Sequence, residues 1–214
     1  MAQSKAIPYH EVKKIIMGCR SPRTRALIAF QFVMGNRAGE LARDYIHTVQ
    51  KMRGKGRHKH LAVIGSYKSR GIRRDGFTRT KYGLRWETPN FKNRGKTKKT
   101  GFILRDNERW LYKILVRWLR RRQGKKYLFN LRKTRIKQLI DEELKKHDES
   151  YHSHCLRHSR GTMIGELTGD PYVVQAVLGH ADINTSSKYV SIAPKRIREK
   201  LGKTPFEEAL GEKI

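Results

Sequence analysis

The sequence predicts an α/β domain that is mainly helical, a helical bundle with a small antiparallel β-sheet or hairpin at one edge. Three observations predict it. Apolar residues recur at helical spacing in successive segments. Two apolar-rich segments, 84–91 and 100–104, bracket a polar stretch in the manner of a β-hairpin. A hydrophobic share of 37% over 214 residues supplies the core of one ordinary domain.

Residues 9–20 place Val12, Ile15, Ile16 and Cys19 on one face, a first amphipathic helix. Ser21-Pro22 then reads as an N-cap with proline in the first helical position, and Gly35 closes a second, buried helix carrying Leu27, Phe30 and Met34. Arg37 stands just before a new turn, Ala38-Gly39-Glu40-Leu41. From 45 to 82 the chain turns irregular and basic; HLAVIGSY could be a strand, and the remainder reads as solvated loop. Residues 84–104 form the hairpin, with KNRGKTKK as its long basic turn. A helix follows over DNERWLYKILVRWLRRR, with Trp110, Leu111, Ile114, Leu115 and Trp118 on its apolar face. Trp86, Trp110 and Trp118 read as packing residues, and the Arg120-Arg121-Arg122 run as either a solvated or a phosphate-contacting face. TRIKQLIDEELKKH is a further helix, and 161–178 reads as two helices split at Gly169-Asp170-Pro171. Residues 193–214 form a tail cut by Pro194, Gly202 and Pro205, in which PFEEAL could be a small helix docking on a partner.

Forty-nine Lys and Arg against 19 Asp and Glu give a net charge of +30. Cations in such excess displace counterions from phosphates, so the expected partner is a nucleic acid and the binding salt-dependent. No apolar run approaches the roughly 20 residues of a membrane span, and no leader pattern is present. Cys19 and Cys155 give neither a disulfide framework nor a zinc pattern, which suits a reducing interior, the cytoplasm or nucleoid. Cys155 reads as a small inward-packed hydrophobe.

The chemistry lies in the last quarter: His154-Cys155-Leu156-Arg157-His158, then Leu178-Gly179-His180, then Tyr189 nine residues on. Cleaving a phosphodiester without a metal needs cations held in a fixed fork against the charge developing on the nonbridging oxygens, and arginine is planar, bidentate and always charged. It also needs an in-line nucleophile and a proton for the leaving oxygen. His154 and His158, four apart, could face one metal, but no carboxylate or cysteine pattern completes a zinc site. His158 reads as structural.

These boxes resemble those of the tyrosine recombinases, the integrase family, and the resemblance runs over about residues 9–192. Gly35-Asn36-Arg37-Ala38-Gly39-Glu40-Leu41 is similar to the family's first box, His154 to His158 matches the second, H-x-L-R-H, and Leu178-Gly179-His180 with Tyr189 matches the third. The resemblance implies the tyrosine recombinase catalytic-domain fold over 1–192, with Tyr189 as the nucleophile that forms a 3′-phosphotyrosine. Arg37 and Arg157 would clamp the phosphate, Glu40 would orient the first box, and His154 and His180 would assist proton transfer and bind the phosphate. The family also uses a hairpin lysine to protonate the leaving oxygen. Lys96 fits its place before the second strand; Lys92 and Lys55 are the alternatives.

The resemblance further implies double-stranded DNA as substrate, no cofactor (neither ATP nor an essential metal), and a free monomer that forms a homotetramer on DNA. The tail after Tyr189 would reach a neighbouring protomer. Recombination would serve integration or excision of a mobile or viral element, or multimer resolution. Two departures stand out. Residues 45–82 look like a basic insertion, and the first box begins so early that no separate N-terminal core-binding domain is expected. DNA contacts are expected from Arg53, Lys55 and Arg57 in the insertion and from Arg94, Lys98 and Lys99 in the hairpin. A type IB topoisomerase-like enzyme would instead relax supercoils without site preference. A non-catalytic basic nucleic-acid-binding protein would bind DNA and be indifferent to Tyr189→Phe.

Overall fold

The structure, a computed structural model, describes residues 5–53, 60–70, 72–89, 98–180 and 182–190, with the backbone alone described at 44–53, 60–70, 89, 98 and 99. Its centre is α2 (Pro22–Met34). Every residue of this helix from Ala26 to Met34 is buried, as expected of a helix that is apolar all round. Its ends are fixed by local chemistry: the Ser21 hydroxyl accepts from the Thr24 N–H, Pro22 opens the first turn, and Gly35 closes it at φ 57°. Helices α1 (Tyr9–Gly18), α3 (Arg109–Arg121), α4 (Lys133–Lys145) and α5 (Ser153–Thr168) pack around it. Helix α1 contributes Val12, Ile15 and Ile16 to the core. Helix α3 buries Leu111, Tyr112, Leu115, Val116 and Leu119; Trp110, Ile114 and Trp118, expected on the same face, sit half-buried at its margin.

Two antiparallel sheets intervene between α2 and α3. Among the described residues, strands β1 (Asp44–Arg53) and β2 (His60–Arg70) pair with each other and with no other strand, and the register shifts at Val49/Gln50. Strands β3 (Phe77–Arg79), β4 (Gly83–Pro89) and β5 (Lys98–Leu104) form a three-stranded sheet in that order. Its β3 is pinned to the helical core by the edge-on contact of Phe77 with Phe30, ring centroids 5.4 Å apart, and Trp86 of β4 is buried.

This corrects the reading of 45–82 as mostly loop. Most of that stretch is a two-stranded ribbon, and its last part, β3, belongs with the predicted hairpin. Among the described residues no helix is long and apolar enough to cross a membrane.

Beyond α5 the chain breaks at Gly169 (φ 65°). It restarts as α6 (Pro171–Leu178), with Asp170 accepting the Tyr172 N–H, and breaks again at Gly179 (φ 67°). A short α7 (Ile183–Ser187), capped by Asp182, leads to Tyr189. A second, smaller apolar cluster of Ile164, Val174 and Leu178 holds this end together, with Val177, Tyr189 and Val190 packed against it.

Candidate active site

Helix α5 is the spine of the site, and its N-terminus is fixed from below. Asp141 accepts the Ser153 N–H at 2.6 Å, and Gln31 Nε2 donates to the Ser153 carbonyl at 2.7 Å. His154, Arg157, His158, Gly161 and Gly165 follow at helical intervals and share one face.

Arg157 is 2% exposed. Its Nη1 donates to the Gly35 carbonyl and its Nη2 to the Leu178 carbonyl, the latter at 2.8 Å. One guanidinium thus joins the turn before Arg37 to the turn before His180. A guanidinium has more donors than two carbonyls use, so capacity remains for a phosphate. Burial lowers the Arg157 pKa, the Glu40 carboxylate opposes that shift, and the Arg37 charge adds to it. The three groups therefore lie within electrostatic reach of one another.

Arg37 precedes the 3-10 turn Ala38–Leu41. Glu40, 6% exposed, accepts the Arg37 backbone N–H at 3.1 Å and contacts its Nη1 at 3.4 Å. The carboxylate thereby sets both the backbone and the head group, while the Arg37 side chain keeps 40% of its surface exposed.

Tyr189 is half-buried. Its ring meets the His158 ring edge-on at 5.0 Å and stacks on the His180 ring at 5.9 Å and 18°. Burial raises its phenol pKa, and the Arg157 charge partly offsets this. His180 is buried and shares a 2.8 Å hydrogen bond between Nδ1 and the fully buried Ser186 hydroxyl. His154 is exposed. Loss of hydration on its packed side, then the charges of Arg157 and Arg37, hold it below the ordinary histidine value, and desolvation does the same to His158.

Arg37, Glu40, His154, Arg157, His180 and Tyr189 thus gather at one place. Cys155 is fully buried, as its sequence context suggested. His158, read as structural, turns out to touch the Tyr189 ring. Three further contributors escaped the sequence reading: Ser186 behind His180, and Gly161 and Gly165 beneath Tyr189. Lys96, Lys92, Lys55, Arg57 and Arg94 lie outside the described residues. Arg53 ends β1, and Lys98 and Lys99 open β5 opposite Pro89 and Thr88. In the arginine run, Arg122 donates to the Tyr127 carbonyl, while Arg120 and Arg121 are exposed.

The sequence matches no curated protein. Several solved structures resemble it in fold. The XerH site-specific recombinase bound to palindromic difH substrate is 17% identical with a TM-score of 0.64, over 94% of this chain and 54% of that one. The XerA recombinase is 18% identical, with a TM-score of 0.63 over 95% and 66%. The catalytic domain of bacteriophage HP1 integrase is 14% identical, with a TM-score of 0.57 over 96% and 98%. The chain therefore spans about half the length of the XerH recombinase and nearly all of the HP1 domain. The family model for the phage integrase family matches residues 5–196, and with the tyrosine recombinase catalytic-domain fold around it the chain belongs to that family, the tyrosine recombinases.

Proposed function

We propose that the protein is a site-specific DNA recombinase that cleaves and rejoins strands through a 3′-phosphotyrosine at Tyr189. The observation that carries this reading is the Tyr189 ring held between His158 and His180, in the field of an Arg157 that two backbone carbonyls fix in place. Arg37 and Arg157 clamp the nonbridging oxygens, and Glu40 holds Arg37 in position. A phenol is protonated at neutral pH and burial raises the Tyr189 pKa further, so attack requires that it give up its proton. We assign its acceptance to His154, whose pKa partial burial and the charges of Arg157 and Arg37 hold below the ordinary histidine value. The phenol oxygen bonds to phosphorus as the bond to the 5′-oxygen breaks. Lys96 protonates that oxygen, with Lys92 and Lys55 as alternatives. Attack by a 5′-hydroxyl on the phosphotyrosine reverses these steps, so rejoining consumes no ATP.

The partner is double-stranded DNA. Arg53, Lys55, Arg57, Arg94, Lys98 and Lys99 supply phosphate contacts, and a free monomer assembles as four protomers on two duplexes. The domain serves integration or excision of a mobile or viral element, or multimer resolution, in the cytoplasm or nucleoid. The test is incubation with a labelled duplex nicked near the cleavage site, followed by denaturing electrophoresis. A covalent adduct that disappears in Tyr189→Phe is expected. Binding without an adduct would leave only a basic architectural protein, and relaxation of any supercoiled plasmid without site preference would indicate a topoisomerase.

A further inference from the structure

We infer that Gly161 and Gly165 are positioning residues, a side-chain-free seat on α5 that sets the Tyr189 phenol beside Arg157 of the same chain. The inference rests on the nucleophilic role proposed above for Tyr189 and says what aims it.

Glycine is a poor residue for the interior of a helix, yet α5 carries two, one turn apart on the face that also bears His154, Arg157 and His158. Neither has positive φ, so backbone freedom does not explain them. Space does. A Cβ at Gly165 would lie 2.0 Å from the Tyr189 carbonyl oxygen and 2.7 Å from its carbonyl carbon. A Cβ at Gly161 would lie 2.8 Å from Tyr189 Cε1, 2.9 Å from Cδ1 and 2.8 Å from Leu178 Cδ1. The Tyr189 backbone therefore rests on Gly165 and its ring on Gly161. One turn further toward the helix N-terminus come His158, against the ring, and Arg157.

The two positions differ in what must yield. At 161 the obstacles are side-chain atoms, which can tilt. At 165 the obstacle is the backbone of the nucleophile itself, so any side chain there must lift the whole residue. Leu178 links this seat to the arginine clamp, since its side chain lies against Gly161 and its carbonyl accepts from Arg157.

The test compares Gly161→Ala and Gly165→Ala with wild type for three quantities: adduct formation at saturating nicked duplex, duplex affinity, and melting temperature. A nucleophile displaced by about 1 Å loses on the order of 100-fold in rate. Gly165→Ala should therefore form adduct roughly 100-fold more slowly, and Gly161→Ala should lose less. Both should keep duplex affinity close to wild type, and melting should change little, because the packing lost where Tyr189 is displaced is offset by about 1 kcal/mol from alanine's better helix propensity. Wild-type rates in both variants would overturn the inference, as would a loss of rate matched by losses of affinity and melting temperature. Absence of an adduct from the wild-type protein would instead sink the proposed function.

Discussion

Replacing Arg157 by alanine should damage the protein twice, whereas replacing Arg37 should damage it once. Arg157 is 2% exposed and donates to the Gly35 and Leu178 carbonyls. A hydrogen bond to a charged group contributes about 1.5–3 kcal/mol, and a buried acceptor left without its partner costs about 1–3 kcal/mol. Against this stands the relief of a buried charge, so a net loss of about 3 kcal/mol is a fair figure for the pair. At roughly 2–4 °C per kcal/mol for a domain of this size, Arg157→Ala should melt about 6–12 °C below wild type. Arg37 is 40% exposed and meets Glu40 at 3.4 Å, a contact whose loss costs about 0–1 kcal/mol and moves the melting point by at most about 4 °C. Both variants should slow adduct formation by about 100- to 1000-fold, since each removes an oriented donor to developing charge. Thermal unfolding followed by circular dichroism, run beside the nicked-duplex assay, reads both effects. An Arg157→Ala protein melting within about 2 °C of wild type would refute the argument that this guanidinium ties the site together.

Ser186→Ala should remove the buried partner of His180 and slow single-turnover adduct formation by about tenfold, at a stability cost of about 1 kcal/mol. Arg160, buried, and Glu108, partly buried, pair at 2.8 and 3.1 Å, so Arg160→Met should destabilise by about 1–3 kcal/mol in denaturant unfolding, and the double variant with Glu108→Met should recover most of that loss. His154 and His158 have lowered pKa values, so the folded state favours their neutral forms. Their contribution to stability is complete above the unfolded histidine value of about 6.5 and declines as pH falls below it, and melting curves of His154→Gln should show a shallower decline. Replacing residues 45–69 by a tight turn removes six Lys and Arg together with strands that, among the described residues, pair with no others. Melting should be unchanged, while the log–log salt dependence of duplex binding loses as much as about 5 in slope if all six meet phosphates.

Elements whose boundaries rest on local chemistry were legible in the sequence. Ser21-Pro22 and Gly35 bracket α2, and Gly169-Asp170-Pro171 separates α5 from α6, because caps and proline act within a few residues. Strand β1 was not legible. Its Tyr45, Ile46, Thr48 and Val49 are good strand formers, but the charge around them reads as loop, and the pairing that orders them comes from β2. Helix α7, five residues of Ile-Asn-Thr-Ser-Ser, has little propensity of its own and depends on its Asp182 cap. In the site, the residues that carry chemistry stood out by type and spacing. Their supports did not, because Gly165 matters only where the Tyr189 backbone descends on it, and Arg157 is anchored by carbonyls that any sequence would offer.

The satellite cluster of Ile164, Val174 and Leu178 is far smaller than the core around α2, and Tyr189 and Val190 lean on it from outside. Tyr189 and Val190 are only partly buried there, so opening of residues 182–190 should cost less free energy than global unfolding, a difference that amide hydrogen exchange would read. If Tyr189 is the nucleophile proposed above, such opening would withdraw and reinstall its phenol while the helices beneath stay folded.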